Sequence, residues 1–347
     1  MRPVYVAGSA VSRSWADASR NLTELIFAGV TAGMADAALE MRDVDGVVLA
    51  AHDLTDGRGL TSMVTAPAAG AYLKDEVRLG DDGASALALA AARIRGGHSD
   101  VCVVAGWGRA SEGSPDDIAR QLFDPFLARP FGLTELSVSA MRASAALRVY
   151  PEYDGWRAEV ATRRGPGVPA QRANGCYPLL PGDLPMWSDV VATVVLTASP
   201  TPVQVLGVGM STEPFDIGAR NLVAMPALAQ AGQRALRMAG IGMDDIDVVE
   251  IDGLTTFEEA LGLEALGLAD RGRGMQVLAT SPTVNADGGC AAGYCAPAMG
   301  LVRVSRAHQT LRDGAHQYAL ATGSSVVAAQ TQAAIVLGRS RSSNGSE

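Results

Sequence analysis

Lysine is nearly absent from this 347-residue chain, so that beyond Lys74 arginine carries almost all of the positive charge. Aromatic residues are also few, at 5% of the composition, whereas glycine and alanine are abundant, which suits closely packed helices and strands. The formal net charge is −9. A nucleic-acid-binding face needs clustered Lys and Arg, so this balance argues against nucleic acid as a partner, although a local site for an anionic group stays possible.

Cysteine and long apolar runs are scarce as well. The four cysteines (Cys102, Cys176, Cys290 and Cys295) contain no CxxC pair and no metal-ligand spacing, so we expect reduced thiols and no bound metal. No apolar run reaches about 18 residues, which predicts no membrane span. The N-terminus begins directly as a strand without a signal region. These features together predict a cytoplasmic protein.

The sequence contains an internal repeat. A shift of 217 positions superposes four pairs of residues: Gly83 and Gly300, Arg95 and Arg312, Gly97 and Gly314, and Gly106 and Gly323. Residues 43–48 also resemble residues 245–250, at an offset of 202. In both copies a small-residue turn leads into a helix and then a buried strand. The repeat predicts two similar α/β halves related by a pseudo-twofold axis.

The pattern of elements divides the chain at about residue 201. Residues 1–201 form the first half and residues 202–347 the second, with strands alternating with helices in both. Residues 113–188 are rich in proline, aromatics and arginine, which predicts a loop insertion with two helices that carries functional residues. Residues 338–347 are rich in Ser, Arg, Asn and Gly and are predicted to be a disordered tail.

Four segments, in order, resemble the thiolase superfamily, most closely its sterol-carrier or lipid-transfer-protein branch. The segments are residues 36–48, 90–106, 239–268 and 284–289. The resemblance implies a five-layered αβαβα fold, with two mixed sheets around two central helices and a loop insertion over the active site. It also implies a dimer that acts on coenzyme A thioesters.

The residues that carry thiolase chemistry in that family are replaced in this chain. The nucleophilic Cys maps to Gly80, and the second catalytic Cys maps to Ala321. The His of one family motif maps to Asp252. The His of another maps to Tyr294 if one residue is deleted after Gly289, and otherwise to Cys295. A glycine cannot form an acyl-enzyme, so we do not expect conventional Cys-dependent thiolase chemistry.

The favoured hypothesis is a lyase that cleaves a β-hydroxyacyl-CoA by a retro-aldol reaction, which some relatives catalyse without a Cys. Such a reaction needs a base for the β-hydroxyl proton and donors for the enolate oxygen. The candidates for acid–base work are Tyr294, with Asp252 and Asp82 as alternatives. The candidates for the oxyanion site and pocket backbone are Gly83, Gly323, Asn285 and Gly80. The competing interpretations are that Tyr294 only fills space and that Asp81 or Asp82 only caps a helix.

Two other functions stay open. The chain could be a catalytically silent thiolase-like subunit of a heteromeric thiolase or acyltransferase complex, or it could bind an acyl-CoA without turnover. The resemblance implies a homodimer or a heterodimer with another thiolase-like chain, with a dimer face expected near residues 98–108, and a possible small zinc-ribbon/OB-fold partner. We expect no bound cofactor, since coenzyme A enters as part of the substrate. Its phosphates would be bound by the insertion, chiefly by Arg163 and Arg164, with Arg157 and Arg172 nearby.

The remaining His and Cys side chains are weaker candidates. His52 follows a predicted strand and could face the site or a dimer contact. Cys290 and Cys295 flank Tyr294 in a loop that should line the pocket. With no neighbouring His in the sequence, we expect both thiols to pack as small buried groups.

Overall fold

The computed structural model describes most of the chain: residues 2–17, 19–57, 60, 62–165, 176–325 and 327–340. Arg172, one of the predicted coenzyme A ligands, lies outside these residues. Within the described part of the chain, no helix is both long enough and apolar enough to cross a membrane.

The first half alternates strands and helices, as the sequence predicts. Its elements are β1 (Tyr5–Ser14), α1 (Leu22–Asp36), β2 (Gly46–Ala50), α2 (Asp53–Asp56), α3 (Ser62–Ala68), β3 (Asp75–Leu79), α4 (Gly83–Arg95) and β4 (Val101–Arg109). Asn21 caps α1: its side chain accepts from Glu24 N–H, and the Glu24 carboxylate accepts from Asn21 N–H. Strand β3 was not predicted.

Within its described residues, 113–165 and 176–188, the insertion contains the two expected helices and one more. They are α5 (Pro115–Arg120), α6 (Glu135–Val149) and α7 (Tyr153–Arg164), and strand β5 (Asp189–Thr197) follows them. Helix α5 was not predicted. It begins at a proline, which fits the first turn of a helix because its missing N–H would have no partner there.

The second half repeats the alternation. Its elements are β6 (Val203–Thr212), α8 (Pro226–Ala239), β7 (Val248–Glu250), α9 (Thr256–Leu266), α10 (Gly274–Thr280), α11 (Met299–Arg312), β8 (Tyr318–Ser324) and β9 (Thr331–Arg339). The predicted start of the tail is wrong by two residues, because Gly338 and Arg339 pair with β6 as part of β9. Residues 341–347 lie outside the described chain.

The strands form one nine-stranded sheet in the order β3-β2-β4-β5-β1-β6-β9-β8-β7. Two residue pairs, Tyr5 with Gln204 and Val6 with Val203, join the strands of the first half to those of the second. The two expected sheets are therefore two half-sheets of a continuous one. The first half-sheet has five strands and the second has four. In the place of a fifth strand, the second half-sheet has a single parallel bridge between Val249 and Val284.

The helices complete the five layers that the resemblance implies. Helices α4 and α11 pack against each other and against strands of both half-sheets. Helices α1 and α3 cover the outer side of the first half-sheet, and α8 and α9 cover that of the second. The largest core cluster surrounds α4 and α11 and contains many alanines, whose small side chains let both sheets approach these helices.

The repeated glycines mark where the two halves meet. A Cβ atom at Gly323 of β8 would overlap the Asp82 carboxylate at the start of α4. A Cβ atom at Gly106 of β4 would lie 2.9 Å from the Pro297 carbonyl oxygen, just before α11. Each strand glycine thus contacts the start of the central helix of the other half, as a pseudo-twofold arrangement requires.

Candidate active site

A cleft that is partly open to solvent lies where the first half, the insertion and the second half meet. Its wall is apolar on the side of Trp187, Leu254 and Pro297. The polar and chemically active groups that line it are Thr55, Arg109, Glu135, Glu258, Tyr294, Cys295, Ser324 and Ser325. An apolar pocket with a few convergent polar groups is the usual form of a small-molecule site.

Two backbone hydrogen bonds, like those of a parallel strand pair, hold Tyr294 in this cleft. Its N–H donates to the Met186 carbonyl oxygen (2.7 Å), and its carbonyl oxygen accepts from Ser188 N–H (3.1 Å). Its ring packs edge to face against that of Trp187, with 5.5 Å between centroids. Burial raises the pKa of the phenol well above its usual value, and the surrounding carboxylates, Asp252 first, raise it further. Tyr294 therefore stays protonated at neutral pH. Tyr294 can donate a hydrogen bond or a proton. It is not suited to act as a base, because that would require the deprotonated tyrosinate form.

Asp252 follows β7 and lies beneath the cleft, 5% exposed. Its Oδ2 accepts from Ser324 N–H (3.0 Å) and from the Ser324 hydroxyl (2.7 Å). Its Oδ1 is buried and has no hydrogen-bond partner among the described residues. Burial raises the pKa of this carboxyl to about 6, against the lowering effect of the Ser324 hydrogen bonds and of Arg303. Asp252 is thus a carboxylate at neutral pH with one free oxygen.

Asp82 is used to cap both central helices. Its Oδ1 accepts from Ala84 N–H (2.7 Å) at the start of α4, and its Oδ2 accepts from Gly300 N–H (2.8 Å) at the start of α11. Burial raises the pKa of Asp82 well above its usual value, and Asp252 raises it further. The Asp81 carboxylate in turn accepts from Asp82 N–H. These contacts support the capping interpretation for Asp82 rather than a catalytic one.

The same contacts correct the predicted oxyanion site. Gly83 and Gly323 do not line the cleft, and the Asp82 carboxylate occupies the space between the two helix starts and β8. An anion at these helix ends would meet a carboxylate already bound there. Gly80 is exposed and faces the His52 ring, with 3.0 Å between a built Cβ and His52 Cδ2, so it does not contribute to the cleft either.

Asn285 also has a structural role instead of the predicted one. Its side-chain oxygen accepts from Ile251 N–H (2.8 Å), and its side-chain nitrogen donates to the Ile251 carbonyl oxygen (2.9 Å). The amide thereby continues the pairing of β7 beyond the Val249–Val284 bridge. Its backbone φ of 42° is in the left-handed region, which asparagine tolerates better than most residues.

Three of the predicted coenzyme A ligands, Arg157, Arg163 and Arg164, bind other groups of the protein. Arg164 forms an ion pair with Glu259 and hydrogen bonds to Cys290 Sγ, with its side chain only 5% exposed. Arg163 donates to the carbonyl oxygens of Leu278 and Val284. Arg157 binds Asp183 and stacks over the ring of Phe257. Arg163 and Arg164 thus join the insertion to the second half, and the prediction that they hold the coenzyme A phosphates stays a prediction.

Neither candidate thiol is activated. Cys295 lines the cleft beside Tyr294, and burial raises its pKa to about 12. Burial also raises the pKa of Cys290 despite its contact with Arg164. A thiol is a nucleophile only as the thiolate, so both are inert at neutral pH. His52 caps α2 by accepting from Leu54 N–H (3.1 Å) and does not line the cleft.

Two cleft carboxylates were missed from the sequence. Glu135 begins α6 and accepts from Ala328 N–H, and burial raises its pKa well above the usual value. Glu258 of α9 accepts from the Ser139 hydroxyl (2.6 Å) and from Leu254 N–H (2.8 Å). A Glu in the first turn of a helix is common, so neither position gave a signal in the sequence.

A buried charge cluster supports the site from behind. Asp287 binds Arg13 (3.1 Å), Arg303 (3.0 Å) and Arg306 (3.4 Å), and its pKa is lowered by Arg303 and Arg13 against the opposing effect of burial. Arg303 also reaches Glu250 at 3.2 Å. This cluster connects β1, β7 and α11 and brings positive charge towards Asp252. In the described part of the chain no group of three or more His, Cys, Asp or Glu residues is arranged to hold a metal ion.

Comparison with known proteins agrees with this fold. No protein of curated function matches the chain by sequence. Residues 209–339 match the family described as thiolase C-terminal domain-like. The predicted resemblance to the thiolase superfamily is thereby confirmed in the second half.

Three solved structures extend the likeness to the whole chain. One is an Ltp2-ChsH2(DUF35) aldolase, with a TM-score of 0.79 and 21% identity over 98% of both chains. Another is a monomeric SCP2-thiolase like protein type 1 from Mycobacterium smegmatis, with a TM-score of 0.73 and 17% identity over 99% of this chain and 79% of that one. The human mitochondrial 3-ketoacyl-CoA thiolase has a TM-score of 0.73 and 13% identity over 98% and 99%. At these identities the likeness shows the fold.

Proposed function

We propose that this chain of the thiolase superfamily fold cleaves a β-hydroxyacyl-CoA by a retro-aldol reaction without a cysteine nucleophile. The observation that carries the proposal is the cleft itself. It holds a protonated phenol, Tyr294, among carboxylates, and its one lining thiol is protonated as well. This set of groups suits proton transfer and does not suit acyl transfer. The aldolase among the structural neighbours supports the same reaction class.

The proposed chemistry moves one proton and breaks one carbon–carbon bond. The proton of the β-hydroxyl leaves towards the Asp252 carboxylate, the Cβ–O bond becomes a carbonyl, and the Cα–Cβ bond breaks. Its electron pair forms the thioester enolate, whose oxygen accepts a hydrogen bond from Tyr294. A proton then returns to Cα, so an aldehyde or ketone and a shortened acyl-CoA together contain all atoms of the substrate.

We also propose that the active form is a dimer or a heteromer. One structural neighbour is named an Ltp2-ChsH2(DUF35) aldolase, and this name contains a second, DUF35 component. That supports a small partner protein for this chain, such as the zinc-ribbon/OB-fold protein expected from the resemblance. Since Arg163 and Arg164 are consumed internally, a partner that supplies cations to the coenzyme A phosphates would complete the site.

A silent subunit is the second candidate function. The capping of both helices by Asp82 favours it, because this carboxylate fills the helix-end region where a thiolase activates its nucleophile. In that case the chain would bind an active partner and would have no cleavage activity of its own.

The experiment uses the full chain, co-purified with its partner where one binds. The probe is 3-hydroxy-3-phenylpropionyl-CoA, which releases benzaldehyde and acetyl-CoA if it is cleaved. We expect release by the wild type and a loss of about 100-fold or more in kcat for Tyr294→Phe, because removal of one hydrogen-bond donor to a developing oxyanion costs about 10²–10³. Binding of the probe should be unchanged. Full activity of Tyr294→Phe would contradict the role of the phenol, and absence of cleavage of this and aliphatic β-hydroxyacyl-CoAs would favour the silent subunit.

A further inference from the structure

Asp252, the proposed base, does not itself line the cleft, whereas Ser324 does. Ser324 ends β8, so its side chain lies where that strand opens into the cleft. Its hydroxyl donates to Asp252 Oδ2 at 2.7 Å, and its N–H donates to the same oxygen at 3.0 Å. A substrate in the cleft can therefore reach the Ser324 hydroxyl directly and reaches Asp252 through it.

The hydrogen-bond directions suit a relay. A serine hydroxyl has one proton to donate and two lone pairs that accept. The Ser324 proton is committed to Asp252, so the lone pairs of its oxygen are the part that can meet a substrate hydroxyl. The Asp252 carboxylate has a second oxygen, Oδ1, that is buried without a hydrogen-bond partner among the described residues. Because Oδ1 holds no hydrogen bond, the carboxylate can receive the Ser324 proton at Oδ2 without breaking a contact of its other oxygen.

We propose that Ser324 is a catalytic residue that accepts the β-hydroxyl proton while it passes its own proton to Asp252. The inference rests on the retro-aldol function proposed above. As the substrate O–H bond breaks, a new O–H bond forms on Ser324, and the former Ser324 proton moves to Asp252 Oδ2. The electron pair of the Cα–Cβ bond goes to the enolate. Ser324 ends with one proton, as it began, and Asp252 is neutral until a proton returns to Cα.

The charges around Asp252 come from four elements. Glu258 of α9 raises its pKa, and Arg303 of α11 lowers it. Asp82, before α4, is the remaining acidic neighbour, and Ser324 of β8 donates two hydrogen bonds. The pKa of about 6 leaves Asp252 ionised above that pH, ready to accept a proton. Cleavage should therefore fall as the pH drops through about 6.

The kinetic test compares Ser324→Ala with Ser324→Thr on the phenylpropionyl probe. We expect Ser324→Ala to lose about 100-fold or more in kcat with KM little changed, because a general base contributes about 10²–10⁴. Ser324→Thr keeps the hydroxyl and should recover most of the rate. The control is Ser305→Ala, which removes another buried hydroxyl, one bonded to Ser9 and outside the cleft. Wild-type kcat and pH profile in Ser324→Ala would overturn the proposal.

A second test does not need turnover. The difference infrared spectrum between the wild type and Asp252→Asn isolates the carboxyl band of Asp252, and its intensity against pH gives the midpoint of titration. In the Ser324→Ala background the midpoint should rise, because the ionised form loses a hydrogen bond. An unchanged midpoint would overturn the relay. If the wild type cleaves no probe but the midpoint rises, the proposed reaction fails while the Ser324–Asp252 contact stands. Should Ser324→Ala not fold, Ser324→Cys, a weak donor, replaces it in both tests.

Discussion

At the scale of single residues, Asp82 and Asp252 illustrate how neighbouring carboxylates differ by their partners. Both oxygens of Asp82 accept from helix N–H groups, whereas Asp252 keeps Oδ1 without a partner among the described residues. The sequence placed both at the ends of elements near the site. The sequence could not show which of the two carboxylates has both oxygens hydrogen-bonded, because the second partner of Asp82, Gly300, lies 218 positions away.

Replacement of Asp82 should destabilise the protein. We expect Asp82→Ala to lower the free energy of unfolding by about 2 kcal/mol, since a lost cap costs about 1 kcal/mol and two helices lose one each. Urea denaturation measures this change. The exposed Asp313→Ala at the C-terminus of α11 is the control and should change stability little. Equal stability of Asp82→Ala and the wild type would contradict the double cap.

Asp252 should make stability depend on pH. Its pKa is about 6 in the folded chain against an ordinary 3.8, so between these values the folded state binds the proton more tightly than the unfolded state. The contribution of Asp252 to stability is therefore present below pH 4 and is lost as the pH rises through 6, by on the order of 3 kcal/mol.

The comparison of wild type and Asp252→Asn isolates this effect. Urea denaturation between pH 4 and 7 should show that the wild type loses stability relative to Asp252→Asn as the pH rises. Parallel curves for the two proteins would show that burial does not raise the pKa of Asp252.

At the scale of elements, buried strands and long capped helices were predictable and short edge elements were not. The apolar run at residues 45–50 predicts strand β2, and the pattern of residues 226–239 predicts helix α8; both agree with the observed bounds within one residue. Strand β3 was not predicted because its sequence, Asp-Glu-Val-Arg-Leu, is largely polar. Charged side chains are typical of a strand at the edge of a sheet. Helix α10 has only seven residues, too few for a clear helical period.

Helix α7 gives a prediction that separates anchoring from ligand binding. Arg164→Ala should lower the free energy of unfolding by about 3–5 kcal/mol, because it leaves Glu259 buried without its ion-pair partner. Its affinity for coenzyme A, measured in conditions where it stays folded, should not change. Arg148→Ala, exposed on the neighbouring α6, is the control for stability. A salt-dependent loss of coenzyme A binding in folded Arg164→Ala would support the phosphate-binding role.

At the scale of the whole molecule, the repeat predicted more than any single motif. The offset of 217 positions indicated two similar halves, and the structure shows equivalent strand orders and reciprocal glycine contacts. What the repeat could not predict is the partner of each charged side chain. Arg164 pairs with a carboxylate 95 positions away, and Asp287 collects arginines from both halves. Such pairings depend on three-dimensional packing, which local sequence patterns do not encode.

The charge of the molecule and of the cleft predicts a preference among substrates. The chain has a net charge of −9, and the cleft is lined by Glu135 and Glu258. Of the described residues that line it, Arg109 is the only cation, and it already pairs with Glu112. We expect a β-hydroxyacyl-CoA with a terminal carboxylate on its acyl chain to have a kcat/KM about tenfold lower than its methyl-ended analogue, because like charges repel in a partly buried site.

Burial raises the pKa of Glu135, so Glu258 is the cleft carboxylate expected to repel the substrate. The matched variant is Glu258→Gln, which replaces this carboxylate with a neutral amide and should narrow the difference in kcat/KM between the two analogues, most clearly at low salt. An equal kcat/KM for both analogues in the wild type would show that the acyl chain does not approach Glu258.

The double cap of Asp82 makes one half of the molecule depend on the other. At an offset of 217 positions the counterpart of Asp82 is Met299, whose thioether is only a weak hydrogen-bond acceptor. The first half therefore supplies the carboxyl group that accepts from both central helices. A fragment that contains the second half alone would leave Gly300 N–H, at the start of α11, without this acceptor.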